Sequence, residues 1–198
     1  MSGVIPVHGK EISLKFQNVI NSSRGGELII VTPFITDFEL KGEKISSCML
    51  KLARLTTKIS LMVAPPSNPH KHNTKEEMEK CKHCKEVVRK IALLDIYEKF
   101  AEEILIKENL HAKIFLSKDS NGKYIKCLAG SANLTLGGFR DHCELCFFIE
   151  DKLIIKKINS FIETWKTSRH GPKAERYRIW KKNLLSKYPD IKYLLQRR

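Results

Sequence analysis

The alternation of apolar and polar positions divides the chain into short strands and longer amphipathic helices. Apolar runs that are rich in β-branched residues predict buried strands, and apolar positions that recur every three or four residues predict helices. The predicted elements are strands at 27–35, 58–66 and 144–151 and helices at 46–55, 86–105 and 151–167, the last of which begins at Asp151, a residue that can cap it. Strands that alternate with helices predict an α/β domain, in which helices flank a layered mixed β-sheet.

A β-hairpin is predicted between the second helix and the third strand. Asn121-Gly122 is a dipeptide typical of tight hairpin turns, and the runs on both sides of it alternate with the two-residue period of a strand. The first run places His111, Lys113 and Phe115 on one face. The opposite face, which we expect in the core, holds Ala112, Ile114 and Leu116.

Polar side chains converge at the open end of this hairpin. Ser131 and Asn133 share a face of the return strand, and Glu144 can join them from the next strand. Lys113, Ser131 and Asn133 carry donors that suit phosphate oxygens. His111 can act as a nucleophile or a general base near neutral pH, and Glu144 can accept a hydrogen bond from its second ring nitrogen. The combination indicates phosphate chemistry.

The hairpin resembles the catalytic motif of the phospholipase D superfamily, in which His-x-Lys is followed further along the chain by Gly-Ser-x-Asn. The matching residues are His111, Lys113, Gly130, Ser131 and Asn133. Glu144 falls where the single-motif nucleases of this family keep a glutamate that supports the histidine. The order of flanking elements agrees over 10–167, and the region after 168 is not covered.

The resemblance implies a phospholipase D-like fold and a two-step phosphodiester transfer that requires no metal. One histidine attacks phosphorus to give a phosphohistidine, and a second histidine protonates the leaving oxygen and then activates water. The family builds its site from two copies of the motif, whereas this chain has one. We interpret His8-Gly9-Lys10 as a chance match, because no Gly-Ser-x-Asn follows it and no strand is predicted before it. A homodimer with two facing His111 residues is therefore expected.

One position departs from the family pattern. Many members carry an aspartate five residues after the lysine of the motif, and this chain has Lys118 there. Nuclease branches tolerate the absence of that aspartate, so activity is still expected. The candidate substrate-binding residues are Gly130, Lys118, Arg140, Lys181 and Lys182.

The charge of the chain indicates an anionic partner. The 36 Lys and Arg residues outnumber the 22 Asp and Glu residues and give a net charge of +14, which favours nucleic acid. Much of this charge lies in 169–198, a basic helical segment that breaks near Pro189 and is expected to follow a catalytic domain at 1–168. Two interpretations stay open for the segment: a solvated charged face over an apolar anchoring stripe, or a contact surface for the phosphate backbone.

The lengths of the apolar runs and the number of cysteines bear on the cellular compartment of the protein. The longest apolar runs are far shorter than the roughly 20 residues of a membrane span, and the first residues lack the pattern of a secretory signal. Six cysteines in a chain that can bury its own core do not indicate a disulfide framework. We therefore expect a cytoplasmic protein with no membrane insertion.

A polar insertion at 67–85 carries a candidate metal site. His70-x-His72 precedes Cys81-x-x-Cys84, and two thiolates with two imidazoles can close a tetrahedral shell around zinc. The alternative is a polar loop that enters a helix with two incidental cysteines. A zinc ion here would hold the insertion in place and would take no part in catalysis.

The leading hypothesis is a metal-independent nuclease that cleaves phosphodiester bonds through a phosphohistidine, with DNA favoured over RNA. Two alternatives remain. One is a phospholipid phosphodiesterase or phosphatidyltransferase, which uses the same motif. The other is a DNA-binding module that has lost its activity.

Overall fold

A mixed β-sheet forms the centre of the protein. The computed structural model describes residues 3–140, 144–167 and 174–197. Within these residues the sheet has eight strands, in the spatial order β1-β9-β8-β7-β2-β5-β6-β10. They are β1 (Val4–His8), β2 (Glu27–Thr32), β5 (Lys58–Val63), β6 (Glu103–Ile106), β7 (Lys113–Lys118), β8 (Tyr124–Gly130), β9 (Leu145–Ile149) and β10 (Glu175–Arg176). A separate short hairpin consists of β3 (Glu39–Leu40) and β4 (Glu43–Lys44).

Helices cover both faces of this sheet. They are α1 (Lys10–Ser22), α2 (Ile45–Arg54), α3 (Lys75–Lys80), α4 (Lys82–Glu98), α5 (Leu136–Arg140), α6 (Lys152–Lys166), α7 (Tyr177–Lys187) and α8 (Pro189–Gln196). Buried side chains of α1, α2 and α4 pack on one face, and buried side chains of α6 pack on the other. The predicted α/β class, a layered mixed sheet flanked by helices, is confirmed.

The central strands are apolar at consecutive positions because both of their faces are buried. In β2, Leu28 and Ile30 belong to the core on the α1 face, while Ile29 and Val31 belong to the core on the α6 face. The same holds for β7: Ile114 and Leu116 lie in the core, as predicted, on the α6 face, but the opposite face, which was not expected in the core, is buried at Phe115. This residue is only 1% exposed, in the core on the α1 face.

The predicted helix at 86–105 is too long at its C-terminal end. The helix α4 ends at Glu98, and the backbone N–H of Glu102 then donates to the carbonyl of Ile59. Glu103–Ile106 forms β6, parallel to β5. The apolar spacing over 101–105 is compatible with a helix or a strand, and pairing with the edge of β5 favours the strand.

The C-terminal part of the chain packs against α4 and β6. The strand β10 pairs with β6, and the buried Tyr177 hydroxyl hydrogen-bonds the Asp95 carboxylate at 2.7 Å. Pro189 opens α8, so the predicted break is confirmed, as is the cap of α6 by Asp151. Among the described helices, none combines the length and apolarity that crossing a membrane would require.

Candidate active site

Three antiparallel strands end together and bring the motif residues to one end of the sheet. Lys113, the first residue of β7, lies opposite Gly130, the last residue of β8. Gly130 in turn lies opposite Cys146 of β9, and Glu144 directly precedes this strand. We call this group, with His111, Ser131 and Asn133, the motif end of the sheet.

Gly130 is required by the close approach of β8 to β9. A Cβ atom at this position would lie 2.4 Å from the carbonyl oxygen of Leu145 and 2.5 Å from the Cα of Cys146. Any side chain would therefore push the two strands apart. Burial raises the pKa of the Cys146 thiol, which suits its role as a neutral packing residue beneath Gly130.

Ser131 joins β8 to the beginning of β9. Its backbone N–H donates to the carbonyl of Leu145 at 3.0 Å. Its hydroxyl also accepts from the Leu145 N–H at 3.0 Å and lies 3.3 Å from the Leu145 carbonyl oxygen. Ser131 thus fixes the backbone next to Glu144. The sequence predicted only a phosphate contact for this serine.

Asn133 is held from its C-terminal side. The N–H of Leu134 donates to the hydroxyl of the fully buried Thr32 at 3.2 Å, and the Thr36 N–H donates to the Leu134 carbonyl. Within the described residues, Asn133 Oδ1 is buried and has no hydrogen-bond partner. A buried amide that is fixed but not fully bonded is suited to a polar ligand.

The short helix α5 supports this loop. The Cβ of any residue at Gly138 would lie 2.4 Å from the carbonyl oxygen of Asn133, so only glycine allows this packing. Phe139 is buried against Phe16 and Phe115, with ring centroids 4.8 and 5.9 Å away. No local pattern predicted the roles of Thr32 and Gly138, because both act through contacts that are distant in sequence or specific to the packing.

His111 lies just before β7 and is exposed, whereas Lys113 and Glu144 are half-buried. Continuing the β7–β8 register by two residues would place His111 opposite Ala132. The motif end therefore combines an accessible imidazole, an ammonium group, an amide and a carboxylate. Such a set can bind an anion and exchange a proton with it.

Lys118 is not brought to the motif end. It lies at the opposite end of β7 from Lys113, about 16 Å away along the strand. Its ammonium group is 2.7 Å from the Glu27 carboxylate and packs over the ring of Tyr124. The structure thus gives Lys118 a local ion pair.

The other basic candidates lie apart from the motif residues or outside the description. The Lys181 ammonium on α7 is 2.5 Å from the Asp95 carboxylate of α4. Lys182 is exposed on the same helix. Arg140 ends α5, and its side chain lies outside the described part of the chain.

His8 has a structural context that the sequence did not predict. It is the last residue of β1, so the expectation that no strand precedes it is wrong. It pairs with Leu145 of β9, which brings its backbone to the same end of the sheet as Ser131. The next residue, Gly9, has a positive φ of 52° and begins the turn into α1.

A groove of about 660 Å³ adjoins the loop that holds Leu134. Its lining includes Phe34, a residue that is 59% exposed, and Arg89 and Lys90 of α4. The Lys90 ammonium donates to the Pro33 carbonyl at 3.2 Å and packs over the Phe34 ring. Burial lowers the pKa of Lys90 to about 8.

The four predicted zinc ligands, His70, His72, Cys81 and Cys84, lie close together in a separate place, where the insertion meets the first turn of α4. We call them the His/Cys cluster. They contact none of the motif residues, so the structure separates the catalytic candidates from the metal candidates.

Comparison with known proteins supports one family. A family model described as "Cardiolipin synthase, PLD-like domain" matches residues 16–165, which is more than half of the chain. Among curated protein sequences, none matches this chain significantly.

Solved structures share the fold at low sequence identity. Nuc, a phospholipase D family member from Salmonella typhimurium, superposes with a TM-score of 0.53 at 14% identity, over 88% of this chain and 97% of that chain. NucT from Helicobacter pylori gives 0.54 at 18% identity, over 81% and 92%. Phosphatidylserine synthase from Haemophilus influenzae gives 0.65 at 16% identity, over 98% of this chain and 44% of that chain. With its motif and the matched family model, the chain belongs to the phospholipase D superfamily, as a PLD-like domain.

Proposed function

We propose that this protein is a metal-independent nuclease, with DNA as the favoured substrate. Members of its superfamily are typically phosphodiesterases or phosphotransferases. The observation that carries the proposal is the motif end of the sheet, which gathers Lys113, Asn133 and Glu144 at the same end of the sheet as the exposed His111. The net charge of +14 favours a polyanionic substrate.

The first step transfers the phosphoryl group to the protein. A ring nitrogen of His111 attacks phosphorus, a P–N bond forms, and the P–O bond to the leaving nucleotide breaks. A second histidine gives its proton to the leaving oxygen. Lys113 and Asn133 donate to the non-bridging oxygens, whose negative charge grows in the transition state. Glu144 accepts from the other ring nitrogen of His111 and thereby holds its tautomer.

The second step regenerates the histidine. Water loses a proton to the second histidine and attacks phosphorus, and the P–N bond breaks. The protein supplies every charged group in both steps, so the reaction should continue in excess chelator. Positioning and fixed donors provide the catalytic power.

We propose that the second histidine is His111 of another copy of the chain, in a symmetric dimer. This chain has one motif, and the mechanism needs two histidines. The apolar side chains next to Glu144 support this arrangement, because Leu145 is 50% exposed and Phe147 is 42% exposed on β9. A second subunit would bury them at the same end of the sheet.

The groove beside the motif end supports a nucleic-acid substrate. Phe34 offers an exposed aromatic face on which a base can stack, and Arg89 and Lys90 offer cations to the backbone. Hydrogen bonds connect the Phe34 loop to Leu134, so a base in this groove would lie near the scissile phosphate.

Subunit mixing tests both the nuclease and the shared site. His111→Ala protein, mixed with wild type under conditions that allow exchange, should lower DNA cleavage as the square of the wild-type fraction. The reason is that a mixed dimer has only one histidine in its site. A linear fall would contradict the shared site, and full activity of pure His111→Ala would contradict the role of His111.

A lipid substrate is the second candidate function. Two observations favour it: the family model is described as a cardiolipin synthase domain, and the fold resembles that of a phosphatidylserine synthase. This chain, however, spans 44% of that synthase and 97% of Nuc. Assays on single- and double-stranded DNA and RNA and on phospholipid vesicles, all with chelator, compare the substrates directly. Turnover of the lipid alone would overturn the nuclease, and binding of DNA without cleavage would favour an inactive module.

A further inference from the structure

The His/Cys cluster joins a loop to the beginning of a helix. His70 and His72 lie in the segment between β5 and α3, and Cys81 and Cys84 flank the first turn of α4. Cys81 is the N-cap of α4, where its sulfur accepts from the Cys84 N–H at 3.5 Å. Cys84 is fully buried. The two pairs come from different elements, so their meeting is a property of the fold.

The distances between the donor atoms of His72, Cys81 and Cys84 fit a tetrahedral metal, and His70 approaches this group at Cys81. His72 Nε2 lies 3.3 Å from Cys84 Sγ, and His70 Nδ1 lies 3.7 Å from Cys81 Sγ. The donor atoms of His72, Cys81 and Cys84 all lie within 4.8 Å of one another. Zinc bonds of about 2.3 Å to sulfur and about 2.0 Å to nitrogen give tetrahedral edges of about 3.5 Å between the two atom types. The observed edges bracket this value.

A third histidine, His83, packs against the cluster. His83 stacks on His70, with ring centroids 4.3 Å apart, and its Nε2 lies 2.9 Å from the Asn68 carbonyl oxygen. This carbonyl accepts the hydrogen bond of His83 and keeps that ring out of the donor set. The stacked His83 thus orients the His70 ring, as neighbouring groups orient the ligands of metal sites.

We propose that His70, His72, Cys81 and Cys84 bind one structural zinc ion. Two thiolates and two imidazoles are the donor set that zinc prefers in closed four-coordinate sites. All four positions are filled by protein, which leaves no open position for water or substrate. The site therefore serves stability, and it stands independently of the nuclease proposal.

The zinc site supports the basic C-terminal helices. Met78 and Cys84 belong to the same buried cluster as Leu184 of α7 and Ile191 of α8. A cleft of about 240 Å³ separates the two histidines of the His/Cys cluster from the turn between those helices. A metal ion that links the insertion to α4 holds in place the surface against which α7 and α8 pack. Loss of the metal should loosen α7 and α8 before the sheet melts.

Metal analysis of the full chain tests the proposal. Wild type purified without chelator should carry one zinc per chain. Cys81→Ser and His72→Asn should weaken zinc binding at least tenfold, while Cys48→Ser, which changes a half-buried cysteine outside the cluster, should keep full occupancy. Well under one zinc in wild type after reconstitution, or full occupancy in Cys81→Ser, would overturn the site.

Cobalt gives a readout that does not depend on the folding of a variant. Wild type titrated with Co²⁺ should develop the absorption of tetrahedral cobalt together with a thiolate-to-cobalt charge-transfer band. An octahedral spectrum or the absence of the charge-transfer band would overturn the site.

Chelation separates this proposal from the nuclease proposal. Chelator should lower the melting temperature of wild type and expose α7 and α8 to protease, while DNA cleavage continues well below that temperature. An unchanged melting temperature and unchanged protease resistance, despite complete zinc removal, would contradict the supporting role of the metal. Loss of cleavage by protein that remains folded would count against the nuclease mechanism and leave the zinc assignment in place.

Discussion

The motif end of the sheet and the His/Cys cluster are built in opposite ways. The motif residues lie at the ends of adjacent strands, where ladder hydrogen bonds fix Lys113, Gly130 and Cys146 opposite one another. The cluster residues lie on a loop and a helix start, where contacts between the ligand side chains themselves hold the parts together. Backbone pairing holds the first region together, whereas side-chain contacts hold the second.

This difference has a chemical reason. A site that stabilises a transition state needs donors that are in place before the substrate arrives, and a β-ladder supplies them. A structural metal site needs no such preparation, because the free energy of metal binding contributes to folding. The variants below separate the two regions, beginning with the largest expected effect.

Gly130→Ala should abolish cleavage and lower the free energy of unfolding by about 3 kcal/mol, because its Cβ would overlap the Leu145 carbonyl. Gly26→Ala is the matched control. Its Cβ would lie 2.1 Å from the Lys118 carbonyl oxygen, so a similar destabilisation is expected at the other end of β7. The two variants are compared by chemical denaturation and by DNA cleavage under conditions in which both are folded.

Zinc content provides a second comparison between the two glycine variants. Both glycine variants should retain the zinc of wild type, since neither glycine contacts the His/Cys cluster. If Gly26→Ala also lost cleavage while folded, the motif end would not be the local unit that its strand geometry suggests. Wild-type cleavage by Gly130→Ala would lead to the same conclusion.

Ser131→Ala should have a smaller effect. It removes the hydroxyl that holds the Leu145 backbone beside Glu144, so we expect kcat to fall about tenfold and the free energy of unfolding to fall by about 1 kcal/mol. Ser117→Ala offers a matched control, because the Ser117 hydroxyl bonds the Lys126 backbone in the same manner away from the motif end. Equal loss of kcat in both variants would refute the positioning role.

Lys90→Met should have the smallest effect and the opposite sign. Lys90 lies on α4, the helix that begins at the His/Cys cluster, and burial lowers its pKa from 10.5 to about 8. Keeping this group charged at neutral pH opposes folding, and the penalty disappears as the pH rises from about 8 toward 10.5. The variant should therefore be more stable than wild type by about 1 kcal/mol at neutral pH, and the gain should shrink over that range.

Denaturation at neutral pH and near pH 10.5 measures this dependence. Lys157→Met, at an exposed position on α6, should show no such change between the two conditions. A loss of stability at both pH values would mean that the bond from Lys90 to the Pro33 carbonyl outweighs the burial of its charge.

Local patterns in the sequence predicted the hairpin, the cap of α6 and the break at Pro189 because each depends on neighbouring residues. The two-residue period placed Lys113 and Gly130 on the hairpin, and the turn at Asn121-Gly122 fixed their approach. The predicted return strand was too long, because β8 ends at Gly130 and Ser131 and Asn133 follow it. Resemblance of the motif then indicated the family. These inferences need only short-range geometry, which amino-acid order specifies directly.

Other features depended on partners far along the chain. Glu103–Ile106 forms a strand because it pairs with the edge of β5. Lys118, which was predicted to bind substrate, instead pairs with Glu27, 91 residues away in sequence. Thr32 supports Leu134 across 102 residues. Sequence by itself determined the chemistry and spacing of the motif and of the metal ligands. Only the tertiary structure decided which of the charged residues could reach the site, because contacts between distant segments exist only after the sheet has formed.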